Sequence, residues 1–373
     1  MGREVRMGGS ERLRIAVIST TTYCTPPKKY GGEMYFWLLA KGLAELGHEV
    51  YLYATPGSKR PPNGHLRLIP SSYGYTVLAH EFRVWKWYRD ELLKMDFIID
   101  CSHNHIPAER IRFFHRDKMN RIVNVLNGLV SHVPRPIPYN LVVGTEKWKR
   151  LLIEGKSQFY GTEYEEMYGK YITPVPPKAI VAVIPWAIDT DFYRPNLGGR
   201  EDWYLWFSRP SPYKGLGWAL DIAERTGIRL KVLCGVVTEE HKYWLNKFKP
   251  RIEKMPNVEL IINPTHEEKM WYMQNARALL FTIRAHEPFG LVPIEAMACG
   301  CPVIATRLGS MPELIREGGV LCDTLDEFVE VVESGAVDAK AGWMARKNAE
   351  RYDYRRIVPL YVELYRKMVG GGG

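Results

Sequence analysis

The chain reads as an α/β protein built from two doubly wound parallel-sheet domains. Three observations support this. Its 373 residues are long for one core and suit two domains of roughly 150–190 residues each. Short β-branched runs alternate with helical repeats in both halves. Between the halves lies DTDFYRPNLGGRED, at 189–202, polar with a proline and a glycine pair, which predicts the hinge. Residues 1–190 are the expected first domain and 191–355 the second.

RIAVIS at 14–19 predicts the first strand. A loop of Thr, Pro and Gly follows. From Glu33 onward Phe36, Leu39, Ala40, Leu43 and Leu46 fall on one helical face, and Gly47 is placed to stop that helix. EVYLYA at 49–54 is the next strand, so strand, helix and strand form one βαβ unit with a parallel pair. Leu78, Phe82, Trp85, Leu92 and Met95 trace a second helix, expected to face the core. Strands follow at 97–101, 122–126, 141–143 and 180–184. Beyond the hinge come a strand at 204–208, a helix at about 217–226, and strands at 230–233, 258–262, 278–283 and 303–306. An amphipathic helix closes the chain at 356–369.

Hydrophobic residues make up 46% and charged residues 25%, the ordinary globular range, which argues against disorder. No apolar run approaches the ~20 residues of a membrane span, and 2–14 is too polar for a signal peptide. Six cysteines make no disulfide framework, so a cytoplasmic location is expected. The net charge of +9 is lopsided. Residues 1–190 hold 26 Lys and Arg against 18 Asp and Glu, while 191–373 hold 25 against 24. A basic first half fits an anionic partner such as a phosphorylated acceptor or a membrane surface, with peripheral attachment at the inner face.

In open parallel sheets ligands bind beyond the carboxyl ends of the strands, and two such domains place the site between them. The most informative string is EPFGLVPIEAMACGCPV at 287–303. It follows a buried strand and opens a helix expected to start near Pro293. Backbone N–H groups of Phe289, Gly290 and Leu291 then precede a helix N-terminus, an anion site, and Gly290 permits close approach. Glu287 and Glu295 bracket the loop. Acids on either side of a phosphate suit vicinal hydroxyls, as a sugar nucleotide presents them. A second string, SRPSPYKG at 208–215, follows the first strand of the second half and carries Arg209 and Lys214.

These strings resemble the signatures of the retaining GT-B glycosyltransferases, particularly glycosyltransferase family 4. The resemblance implies a GT-B fold of two Rossmann-like domains facing a cleft, with helix 356–373 returning to the first domain. It implies transfer of a hexose from a nucleotide-diphosphate sugar to an acceptor hydroxyl, with retention and without metal or other cofactor. The acceptor is a small sugar, a glycan or a lipid-linked species. Glu287 matches the residue that touches the donor sugar and Glu295 the one that touches the ribose. Phe289, Gly290 and Leu291 match the backbone donors to phosphate, and Arg209 and Lys214 the cations facing the leaving diphosphate. Gly31 and Gly32, in YGGE, match the glycine loop before the first helix. In PWAIDTDF, at 185–192, Trp186 and Ala187 replace the family's Asn-Gly. Asn127, in IVNVLNG at 122–128, stands where members carry a histidine. Asparagine hydrogen-bonds but cannot carry a proton, so the rival reading is a nucleotide-sugar-binding module without turnover. His103 and His105, in DCSHNH, are expected on a cleft-facing loop, contacting donor or acceptor.

Other motifs are set aside. Asp189 and Asp191 spell D-x-D but sit in the hinge segment. Cys299, Cys301 and Cys322 match no zinc spacing, so no metal is expected. No nucleophile elbow occurs. RVWKWYRDELLKM at 83–95 has helical periodicity, so its aromatics are assigned to packing rather than to nucleic acid; Trp87 and its basic neighbours remain a candidate membrane contact.

Overall fold

The computed structural model describes residues 12–20, 24–26, 32–69, 77–126, 139–196 and 198–370. Gly31 and Asn127 lie outside them. The first half runs β1 (Arg14–Ile18), α1 (Glu33–Glu45), β2 (Glu49–Ala54), β3 (His65–Leu68), α2 (Val77–Leu92) and β4 (Phe97–Asp100). It continues with α3 (Ile106–Phe114), β5 (Ile122–Val125), β6 (Leu141–Val143), α4 (Glu146–Ile153), α5 (Glu165–Tyr168) and β7 (Ile180–Val183). The seven strands pair in parallel in the order β3-β2-β1-β4-β5-β6-β7.

The second half opens with β8 (Tyr204–Ser208), α6 (Leu216–Thr226), β9 (Leu230–Cys234), α7 (Glu239–Ile252) and β10 (Val258–Ile262). Then follow α8 (His266–Asn275), β11 (Leu279–Phe281), α9 (Leu291–Ala298), β12 (Val303–Thr306), α10 (Met311–Leu314) and β13 (Gly319–Cys322). The chain ends with α11 (Leu325–Glu333), α12 (Ala339–Ala349) and α13 (Tyr354–Gly370). Here six parallel strands are ordered β10-β9-β8-β11-β12-β13. Strand order reverses between β1 and β4 in one sheet and between β8 and β11 in the other. Each reversal opens a crevice at the carboxyl ends of its strands, where the crossovers depart to opposite faces.

The apolar runs become central strands because both sheet faces are covered by helices. Gly47 follows α1 in the left-handed conformation, at φ +92°, as its stop position requires. α13 leaves the second half and packs on the first. Val358 and Tyr361 join the core formed by Tyr35, Leu39 and Leu43, and the hydroxyls of Tyr35 and Tyr361 lie 2.7 Å apart.

α9 begins at Leu291, with Pro293 in its first turn and Gly290 as its N-cap at φ +100°. One expectation needs correction. α2 turns only part of the expected stripe to the core. Leu92, and Met95 just beyond the helix, are buried with Trp85 packed against the same cluster, but Leu78 and Phe82 are exposed, and His80, Glu81 and Val84 are buried in the first turns. The helix is rotated by Glu81, whose carboxylate accepts the backbone N–H groups of Asn104 and Ile106 at the start of α3. Among the described residues no helix is long and apolar enough to cross a membrane.

Candidate functional site

The two loops at the β8/β11 reversal carry Lys214 and Glu287. Lys214 closes a short turn after β8, and Gly215, at φ +78°, starts α6. The turn is stitched to the loop after β11: the Arg284 N–H donates to the Tyr213 carbonyl at 2.7 Å, and the Thr282 hydroxyl to the Gly215 carbonyl at 2.7 Å. This brings together residues 73 apart in sequence, with Lys214 Nζ 2.5 Å from Glu287 Oε2. Both side chains are largely buried, which strengthens their attraction relative to a surface pair.

Past Glu287 the chain turns at Gly290 into α9. The N–H groups of Phe289, Gly290 and Leu291 have no acceptor among the described residues. They point where the positive end of a helix dipole favours an anion. Arg209, half-buried after β8, has no carboxylate partner among the described residues, and its charge reaches His241 at the start of α7. Lys214, Glu287 and the three amides therefore lie at one sheet crevice, with Arg209 in the loop between β8 and Lys214.

Glu295 is buried one turn further along α9. The Tyr193 hydroxyl donates to its Oε1 at 2.7 Å and Lys269 Nζ to its Oε2 at 3.0 Å. Burial, and then the Glu295 charge, raise the Tyr193 pKa well above its ordinary value. Lys269 lies outside both sequence motifs. Its signal was present, because His266, Lys269 and Met273 occupy one buried stripe of α8 and a lysine is out of place there.

The first half closes over this crevice. The Thr145 hydroxyl, which caps α4, donates to the Pro288 carbonyl at 2.9 Å, and Glu313 accepts the N–H groups of Glu146 and Lys147. The His286 N–H donates to the Gln158 carbonyl at 2.7 Å, and Phe159 packs on Tyr213 and Ala285. Gly32, at the N-cap of α1, faces Trp186, whose ring stacks on Tyr35 at 5.7 Å and Phe289 at 5.9 Å. Trp186 thus fills the space between α1 and the loop after β11.

His103 is exposed after β4. His105 is corrected: it is 1% exposed and turned inward, its Nδ1 3.7 Å from the buried Asp100 carboxylate. The left-handed backbone at residue 105, φ +52°, aims it there. Asp189 and Asp191 bond Lys41 and Arg355 respectively. Among the described residues no three His, Cys, Asp or Glu side chains converge as a metal site would require.

His286 adds a pH response. Its Nδ1 accepts the Gly309 N–H at 3.2 Å, so Nε2 carries the proton and donates to the Tyr160 carbonyl at 2.9 Å. Burial, and then the charge of Lys147, lower its pKa below the ordinary value. The unfolded chain takes up a second ring proton near the usual value of about 6.5, whereas the folded chain resists until lower pH. The contribution to stability is therefore complete above the ordinary pKa and is lost as pH falls through and below it. The melting temperature should fall more steeply from about pH 7 to pH 5 in the wild type than in His286→Gln. Parallel curves would remove His286 from this role.

Comparison with known proteins follows the same geometry. Residues 193–350 match the family Glycosyl transferases group 1. N-acetyl-alpha-D-glucosaminyl L-malate synthase of Bacillus anthracis is 34% identical over 96 residues, 23% of this chain and 25% of that protein. A probable sucrose-phosphate synthase of Thermosipho melanesiensis is 28% identical over 231 residues, 57% of this chain and 52% of that one. The matched stretches thus span about a quarter to a half of these curated relatives. The solved structure of sucrose-phosphate synthase from Thermosynechococcus elongatus superposes with a TM-score of 0.73 at 17% identity, covering 97% of this chain and 100% of that one. The fold is GT-B.

Proposed function

We propose that this chain, whose residues 193–350 match the glycosyl transferases group 1 family, is a retaining hexosyltransferase using a nucleotide-diphosphate sugar. The observation that carries the reading is the Lys214–Glu287 pair beside the open amides of Phe289, Gly290 and Leu291, at a strand-order reversal. In this reading the amides, Arg209 and Lys214 hold the diphosphate, Glu287 orients the hexose and Glu295 accepts the ribose hydroxyls. The bond from the anomeric carbon to the diphosphate oxygen breaks while an acceptor hydroxyl bonds the same face. The hydroxyl proton passes to the departing diphosphate oxygen. Fixed cations and dipoles stabilise the charge that develops there, and closure of the first half excludes water that would hydrolyse the donor. No metal takes part in the scheme. Gly31 and Asn127 retain the donor-side places that the sequence resemblance gives them.

The acceptor is read from the first half. Leu78, Phe82, Phe113 and Phe114 are exposed on α2 and α3, and the Arg110 guanidinium covers the Phe82 ring at 4.8 Å. Aromatics beside cations suit an anionic membrane surface and hence a lipid-linked acceptor. A small sugar acceptor is the other arm of the test.

A melting-temperature screen against UDP-, GDP- and ADP-sugars should single out one donor, with transfer that survives a chelator and a product that keeps the donor's anomeric configuration. Binding without turnover would leave a carrier module; inversion would end the retaining assignment. Co-sedimentation with anionic vesicles separates the acceptor classes, since an enzyme of soluble acceptors stays in the supernatant.

A further inference from the structure

Lys269 is 1% exposed, among the largest fully buried side chains in the described residues, and the only charged one of that group. Its Nζ donates to the Tyr193 hydroxyl at 2.9 Å and to Glu295 Oε2 at 3.0 Å, while that hydroxyl donates to Glu295 Oε1 at 2.7 Å. The three groups close a triangle in which each carboxylate oxygen receives one donor. Tyr193 is 2% and Glu295 7% exposed. The ammonium also lies over the rings of Tyr193 and Phe207, at 5.1 and 5.7 Å.

Withdrawing a lysine from water costs several kcal/mol, and an apolar residue in its place is often no worse for stability. The surroundings suit such a residue, since Met273, Phe207 and Met297 all belong to the same apolar core. Stability alone therefore does not account for a cation here. Its effect falls on Glu295. A lone glutamate in the first turns of a helix, beside the open amides of its N-terminus, is free to rotate toward them. Two donors from behind prevent that, and each oxygen keeps one further acceptor direction on the side away from Lys269 and Tyr193.

We propose that Lys269 and Tyr193 are positioning residues for the donor: they neutralise the Glu295 carboxylate from behind and fix its orientation, so that its remaining acceptor directions receive the ribose hydroxyls. This rests on the reading of Glu295 as the ribose acceptor. The pair touches no reacting atom, so its influence falls on donor affinity and on ribose discrimination.

The test measures binding of UDP, GDP and ADP, and of their 2′-deoxy counterparts, to the full chain. The wild type should prefer the ribose form of its nucleotide by about tenfold or more, the worth of a hydrogen bond to a charged group. Lys269→Met, of similar length without charge, should lose that preference to the level of Glu295→Gln. Its donor KM should rise about tenfold while kcat changes much less. Tyr193→Phe should reduce the preference in the same direction with packing kept. Full ribose preference in folded Lys269→Met overturns the proposal; should that variant fail to fold, full preference in Tyr193→Phe does so. A wild type that binds nucleotide but ignores the 2′-hydroxyl overturns it while leaving the donor assignment intact. A wild type that binds none of the three ends the functional reading and this inference with it.

Discussion

Replacing Lys214 by alanine is expected to lower kcat/KM for sugar transfer at least ~100-fold, the scale seen when one fixed transition-state donor is removed. Two losses combine. The departing diphosphate loses a cation held at the crevice by the turn after β8. Glu287, largely buried and paired with Lys214 at 2.5 Å, is left as a carboxylate without its counterion. The loss should appear mainly in kcat, because the charge on the leaving group grows toward the transition state. Glu287→Ala should show a comparable loss through the hexose. Steady-state rates with the donor found in the screen decide the matter, and near-normal turnover in both variants would remove the pair from the chemistry.

Gly215→Ala is expected to be the most damaging small substitution in the second half. A Cβ at residue 215 would sit 1.7 Å from the Thr282 carbonyl oxygen, 2.6 Å from its carbon and 2.9 Å from its hydroxyl. The obstacle is backbone, so no rotamer relieves it, and φ of +78° adds strain for any side chain. A cost of about 3–5 kcal/mol follows for overpacking combined with a forbidden backbone. Gly227→Ala is the matched control. Its φ is +69° but nothing lies within 4 Å of the new methyl, so it should cost only about 1 kcal/mol. Urea unfolding of the two variants gives the comparison, and equal midpoints would show that the loops after β8 and β11 can separate freely.

The strands of both sheets were legible because each is a short apolar run between polar or glycine stops, as in Arg14–Ile18 and Val303–Thr306. β3 and β13 were not, since both lie at sheet edges, His65–Leu68 with no buried residue and Gly319–Cys322 with only Cys322 buried. The face of α2 was misread for a related reason. Hydropathy gives Glu81 to solvent, yet its carboxylate is spent on the backbone of the next loop, a contact visible only in three dimensions. The Lys214 and Glu287 strings stood out because each motif follows a strand that ends at the crevice. Lys269, Tyr193 and His286 did not, because their roles come from partners 26 to 126 residues away. A local pattern records a helix start or a glycine turn; it does not record which buried acid a distant lysine will meet.

Trp186 gives the molecule a built-in optical gauge. Its indole stacks on both Tyr35, on the first helix, and Phe289, on the loop after β11. Relative rotation of the halves would have to slide or part those rings and so change the light that the indole emits. Ten other tryptophans share the spectrum, so the signal is the difference between wild type and Trp186→Phe as nucleotide is titrated. The same wedge that plugs the seam would thus report, without any added dye, whether the halves shift when a ligand arrives.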